Sequence, residues 1–125
     1  MNSIRLVVER LTANTWGALS ALALAAFLEA GGDSFFQAGF YRSAGSRRAI
    51  EILAGAAMLA CYGAAVNTPR WDFGRLLGVY VVFFFLVAQI INRVRFGQTP
   101  SIPVWAGGAL IVAGGVVMVL WRTNP

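Results

Sequence analysis

Apolar and polar positions alternate along this chain on a long scale: four extended apolar runs are separated by short polar stretches containing Arg, Pro, Gly or Asn. The runs cover about residues 16–41, 50–66, 76–91 and 102–121. A helix needs roughly 20 residues, within about 17–25, to cross the hydrocarbon core of a bilayer. The fourth run meets that length directly, and the second and third meet it once their flanking arginines reach toward the interface. Hydrocarbon offers no water to an unpaired N–H or C=O, so a spanning segment must close its hydrogen bonds within itself. The pattern therefore predicts an all-α membrane protein, a four-transmembrane-helix bundle within residues 14–122.

Residues 1–13 ("MNSIRLVVERLTA") form a leader with Arg5 and Glu9 four apart, a spacing suited to a short interfacial helix. A solvated lead-in to the first span is the alternative. Arg5 and Arg10 ahead of an apolar run containing Ala21–Ala23 also fit a cleaved secretory signal, although we expect the run to be retained as the first span. The predicted connections, residues 42–49, 67–75 and 92–101, are too short for a soluble domain. Any chemistry must lie among the helices.

Composition agrees: 58% of the residues are hydrophobic and only 12% charged, against about 25% charged in soluble proteins, and the mean hydropathy is +0.69. The inventory is restrictive. Without His, and with Cys61 alone, one chain can assemble neither a His/Cys metal cage nor a Cys–His nucleophile pair. There is no lysine and no phosphate-binding glycine loop of the GxxxxGK[ST] type. The chain is expected to be neither an enzyme nor a cofactor carrier. Its net charge of +5 comes from arginines scattered at span ends, which suits lipid headgroups better than nucleic acid.

An even number of spans puts Arg5, Arg10, Arg70, Arg75 and Arg122 on one side, and Arg42, Arg47, Arg48, Arg93 and Arg95 on the other. Orientation normally follows an excess of Lys and Arg on the cytoplasmic side. An even split withdraws that instruction, and the chain is expected to insert both ways and form an antiparallel homodimer. The alternative is that the first helix or local loop charges still set one orientation.

The candidate chemistry lies in "AAFLEAGGDSFFQ", Ala25–Gln37. Glu29 falls about midway along the first run, where an ionised side chain costs at least about 2.5–3.5 kcal/mol. At helical spacing Glu29, Asp33 and Gln37 share one face. That polar stripe should look into the bundle or a water-filled cavity. Desolvation favours the neutral acid, and neighbouring carboxylates reinforce that preference. The pair is expected to titrate as a coupled unit that keeps at least one proton near neutrality. Such an acid attracts a cation when deprotonated and releases it when a proton arrives. For Glu29 the structural alternative is a protonated side chain bonded to a carbonyl or to Gln37; for Asp33 it is an ion pair with Arg42, Arg47 or Arg48.

The fourth run carries Gly107 and Gly114, and Gly108 and Gly115, each pair seven apart, with Ala109 and Ala113 between them. Small residues let helix backbones approach closely in a membrane, either across a dimer interface or within one chain. In the third run Tyr80 and Phe84 share a face that could meet an organic cation or simply lipid. Tyr80 is the better candidate because its hydroxyl requires a polar neighbour.

The stretch "FGQTPSIPVWAGGALIVAGGV", Phe96–Val116, resembles the last loop and helix of the small multidrug resistance (SMR) transporters, through Gly107, Leu110, Ile111, Ala113 and Gly114. Within that superfamily the chain is most similar to the YnfA family of small inner-membrane proteins. The similarity rests on "EAGG" at Glu29–Gly32, the Tyr62–Gly63 pair, and the following proline and "FGR" at Phe73–Arg75. It spans about residues 20–121. Asp33 is an additional acid, the paired glycines of the third helix are absent around Val82–Phe84, and the N-terminus is extended.

The resemblance implies a dual-topology antiparallel dimer in the bacterial inner membrane. It implies that Glu29 binds proton and cationic substrate in turn, that Tyr80 stacks on substrate, and that the last helix, with Gly107 and Gly114, makes the dimer contact. The expected function is proton-coupled export of small organic or hydrophobic cations. The alternatives are an accessory subunit of a larger membrane assembly, a helper for lipid-linked substrates, and, least favoured, a dual-topology ion channel. Expected partners are a second copy, membrane lipids and a small cation. The arginine balance predicts that reporters fused to the C-terminus give signal from both sides of the membrane; signal from one side only would exclude dual insertion.

Overall fold

The computed structural model describes residues 2–121. Among these are five helices: α1 (Asn2–Thr12), α2 (Thr15–Tyr41), α3 (Gly45–Val66), α4 (Phe73–Phe96) and α5 (Ile102–Leu120). Helices α2 to α5 are each long and apolar enough to cross a membrane, the mark of a multi-pass membrane protein. Arg122, counted above among the orientation charges, lies outside the described residues.

Two helices extend well beyond the apolar pattern. Helix α3 starts at Gly45 instead of 50, and α4 runs from Phe73 to Phe96 instead of 76–91. Hydropathy marks where hydrocarbon should end, whereas the backbone stays helical through Arg and Ala, both good helix formers, until a cap stops it. For α4 the cap is Asp72, whose Oδ2 accepts the Arg75 N–H at 2.9 Å. At its other end Gly97 takes φ +65°, a left-handed geometry suited to glycine, and donates its N–H to Arg93 O at 3.2 Å. Arg93 and Arg95 occupy the last turn, where cations complement the helix dipole.

The chain divides into two compact units, residues 1–70 and 71–125. In the first, α2 and α3 form an antiparallel hairpin whose backbones meet at glycines. A Cβ placed on Gly32 would sit 2.9 Å from Leu59 Cγ and 3.0 Å from Gly55 O, and one on Gly55 would sit 2.8 Å from both Gly32 O and Phe36 Cδ2. Further along, a Cβ on Gly39 would lie 2.9 Å from Ile52 Cγ1. The apolar interior of a bilayer supplies no hydrophobic drive between helices, so this contact has to come from close van der Waals fit. Asn14 caps α2, its Oδ1 accepting the Gly17 N–H at 2.7 Å. Gly17 itself leaves no room for a Cβ against Leu11 O, which lets α1 turn tightly onto α2.

In the second unit α4 and α5 form another antiparallel hairpin, and the paired glycines of α5 separate by role. A Cβ on Gly108 would run into the Phe85 ring, and one on Gly115 into Val82, whereas Gly107 and Gly114 face open space. One stripe packs against α4, and the other takes no part in that contact. The packing predicts that Gly32→Val or Gly55→Val lowers stability by about 1–3 kcal/mol through overpacking. Gly63→Ala, with nothing within 4 Å of its added carbon, should be neutral or gain up to about 1 kcal/mol of helix propensity. Unfolding midpoints of the detergent-purified variants measure both.

Candidate functional site

The polar stripe lies on α2 in the first unit. Gly32, Phe36 and Gly39 carry the contact with α3, and Gly31 adds Met58, whose Cε would be 2.6 Å from a Cβ there. At about 100° per residue, Glu29 is turned roughly 60° from Gly32, Asp33 roughly 100° and Gln37 further still. The stripe therefore starts at the edge of the α2–α3 contact and rotates away from it. Glu29 is half-buried, while Asp33 and Gln37 are exposed. Asp33 and Gln37 lie off the face that α3 covers, because α3 uses the glycine face of α2. Ser34, buried next to Asp33, is satisfied locally, its hydroxyl donating to Gly31 O at 2.7 Å.

None of the arginines considered as partners for Asp33 pairs with it. Arg47 Nε lies 3.5 Å from Glu51 Oε1. Arg48 Nε donates to Gly39 O at 2.9 Å and to Ser43 O at 3.1 Å, closing the end of α2. Arg42 is exposed at the C-cap of α2. No ion pair joins Asp33 to any of the three among the described residues.

Glu51 is the acid that apolar patterning passed over. It is 8% exposed inside α3, and Ser43 Oγ donates to its Oε2 at 2.7 Å. The four-residue spacing of Arg47 and Glu51 signals the ion pair, but Ser43 comes from the turn before α3 and has no spacing signature. This cluster ties the α2–α3 turn to α3 and reads as a hairpin clamp.

In the second unit Tyr80 is buried in α4, and its ring centroid lies 6.2 Å from that of Phe84, one helical turn away. Cys61 is exposed on α3. Among the described residues no group of three or more His, Cys, Asp or Glu side chains could hold a metal ion. Compared with protein-family models, curated proteins and solved structures, the chain matches none.

The magnitudes separate the members of the clamp. A hydrogen bond to a buried carboxylate contributes about 1.5–3 kcal/mol, whereas an ion pair to an exposed arginine contributes about 0–1 kcal/mol. Ser43→Ala should therefore destabilise the detergent-solubilised protein more than Arg47→Ala, whose side chain is 80% exposed. Paired thermal melts give the ranking, and equal losses would refute it.

Proposed function

We propose that this protein is a proton-coupled exporter of small organic or hydrophobic cations, working as an antiparallel dual-topology dimer of the SMR type in a bacterial inner membrane. The observation that carries the reading is the acid pair on α2: Glu29, half-buried about midway along a 27-residue apolar helix, with Asp33 one turn on and exposed. A carboxylate at that depth does not face acyl chains at a cost of several kcal/mol. A second protein surface or enclosed water must cover it. With a second copy, the two acid faces line a shared cavity where protonation and cation binding compete for the same oxygens.

Competition for one site gives exchange directly. A cation binds to the deprotonated pair, a proton taken up from the opposite side weakens that attraction, and the cation leaves. The open Gly107/Gly114 stripe on α5 supports the dimer, since it lets a second backbone approach without disturbing the Gly108/Gly115 packing on α4. The resemblance of "EAGG" and of Phe96–Val116 to the SMR superfamily supports the same reading.

The experiment is proton release on adding candidate organic cations to weakly buffered, detergent-purified protein. Wild type should release protons, and Glu29→Gln should release none and bind no cation while remaining dimeric. Gly107→Leu with Gly114→Leu should dissociate the dimer yet keep its helix content. Indifference to Glu29→Gln, a single orientation and stoichiometric co-purification with another chain would instead identify an accessory subunit.

A further inference from the structure

The N-terminal helix takes no part in the exchange reaction, yet it builds a cavity of its own. Helix α1 leaves a crevice of about 480 Å³ against the start of α2 and the end of α3, with Val8, Leu11, Ala21, Leu24 and Ala65 among its walls. From Gly17 to Leu24 it follows α2 for about 10 Å at 1.5 Å per residue. Its walls are almost wholly apolar. A second cavity, of about 350 Å³, adjoins it through the shared residues Val8 and Thr68 and is lined by Arg5, Glu9 and Arg70. An apolar slot thus opens beside a basic one at the level where α2 begins and α3 ends.

The charges at the basic end do not cancel. Arg5 Nε donates to Glu9 Oε1 at 2.8 Å, and Arg70 Nη2 contacts the same oxygen. The bond from Arg5, with Arg70 beside it, holds the Glu9 carboxyl below its ordinary range, so it is ionised at neutral pH. One carboxylate faces two guanidinium groups, leaving one positive charge. The two arginine side chains are 69% and 66% exposed, and each guanidinium presents five N–H donors. Much of that donor capacity is turned outward.

The outer surface of α1 sets the level. Ile4, Val7 and Leu11 form an apolar stripe, 71%, 55% and 66% exposed, beside Val8 and Thr12, which turn toward the protein. Thr12 Oγ1 lies 3.4 Å from Thr68 O, the loop carbonyl that follows α3. An amphipathic helix fixed at the end of two spans lies in the headgroup region with its apolar stripe in the acyl boundary.

We propose that α1, Arg5, Arg70 and the crevice form a binding site for an anionic phospholipid, with the phosphate on the two guanidinium groups and an acyl chain along α2 past Ala21 and Leu24. Glu9 is the gate of this site because it competes with the phosphate for both arginines. The site does not depend on cation exchange at Glu29.

The test is native mass spectrometry of the full chain titrated with phosphatidylglycerol, with phosphatidylcholine of the same acyl chains, and with inorganic phosphate as competitor. Phosphatidylglycerol should bind about five- to tenfold tighter than phosphatidylcholine, the preference expected of one net positive charge near a lipid phosphate. Arg70→Gln should remove most of that preference, and Ala21→Phe should weaken both lipids by filling the slot. Glu9→Gln should strengthen phosphatidylglycerol binding. That opposite sign separates a lipid site from a merely structural ion cluster, in which Glu9→Gln and Arg70→Gln both loosen α1 and both weaken binding. Equal binding of the two lipids, weakening by Glu9→Gln, or displacement of the lipid by inorganic phosphate at similar concentration would each overturn the proposal, the last by reducing the site to one for small anions.

Discussion

Where α2 meets α3, Gly32 and Gly55 place two helix backbones so close that a methyl group on either would sit 3.0 Å or less from the other's carbonyl oxygen. In a bilayer such a contact is stabilised by dispersion between tightly fitted atoms, because lipid is as apolar as the side chains it displaces. The glycine face of α2 is committed to α3, and that commitment sets the direction of every other face of the helix. Glu29 is left at the edge of the contact, and Asp33 and Gln37 are turned out of it. The glycines of "EAGG" therefore hold the scaffold that aims the acid beside them.

The same logic runs through the second unit with a different outcome. Helix α5 carries two glycine stripes one residue apart, and neighbouring residues on a helix point about 100° from each other. Only one stripe can face α4. Gly108 and Gly115 take that role against Phe85 and Val82, and Gly107 and Gly114 remain open. A helix with two close-approach surfaces, one used within its chain, is suited to joining a second helix without repacking the first.

Polar groups follow the cost of desolvation. Glu51, almost fully buried, has a serine hydroxyl and an arginine within reach. Glu9, at the surface, shares one oxygen between two arginines. Both acids lie close to helix ends, where turn residues supply donors. Glu29 and Asp33 lie further along a span, flanked by Ala, Gly, Leu and Phe and by Ser34, whose hydroxyl is bonded to Gly31 O of its own helix. Acids in that position mark function more than stability, and they stand apart from the charge clusters that fasten the helix ends.

The four spanning helices and their approximate reach were legible in the sequence, because an apolar run of spanning length has to satisfy its own backbone and has one way to do so; for residues 1–13 the spacing left a helix and a solvated lead-in equally open. The acid stripe was legible as well, since a helix fixes which residues share a face. The extra turns of α3 and α4 were not, because hydropathy measures solvent preference and not where the backbone stops being helical, which for α4 is decided by capping at Asp72 and Gly97. Nor could spacing say which glycine stripe meets a neighbour, that Asp33 lies outside the α2–α3 contact, or that Ser43 reaches Glu51. Those depend on the rotation of one helix against another, and that rotation is set by the fit of Gly32 to Gly55 and of Gly108 to Phe85, contacts between residues 23 positions apart in both cases. Periodicity along a single helix describes its faces; only packing between helices selects among them.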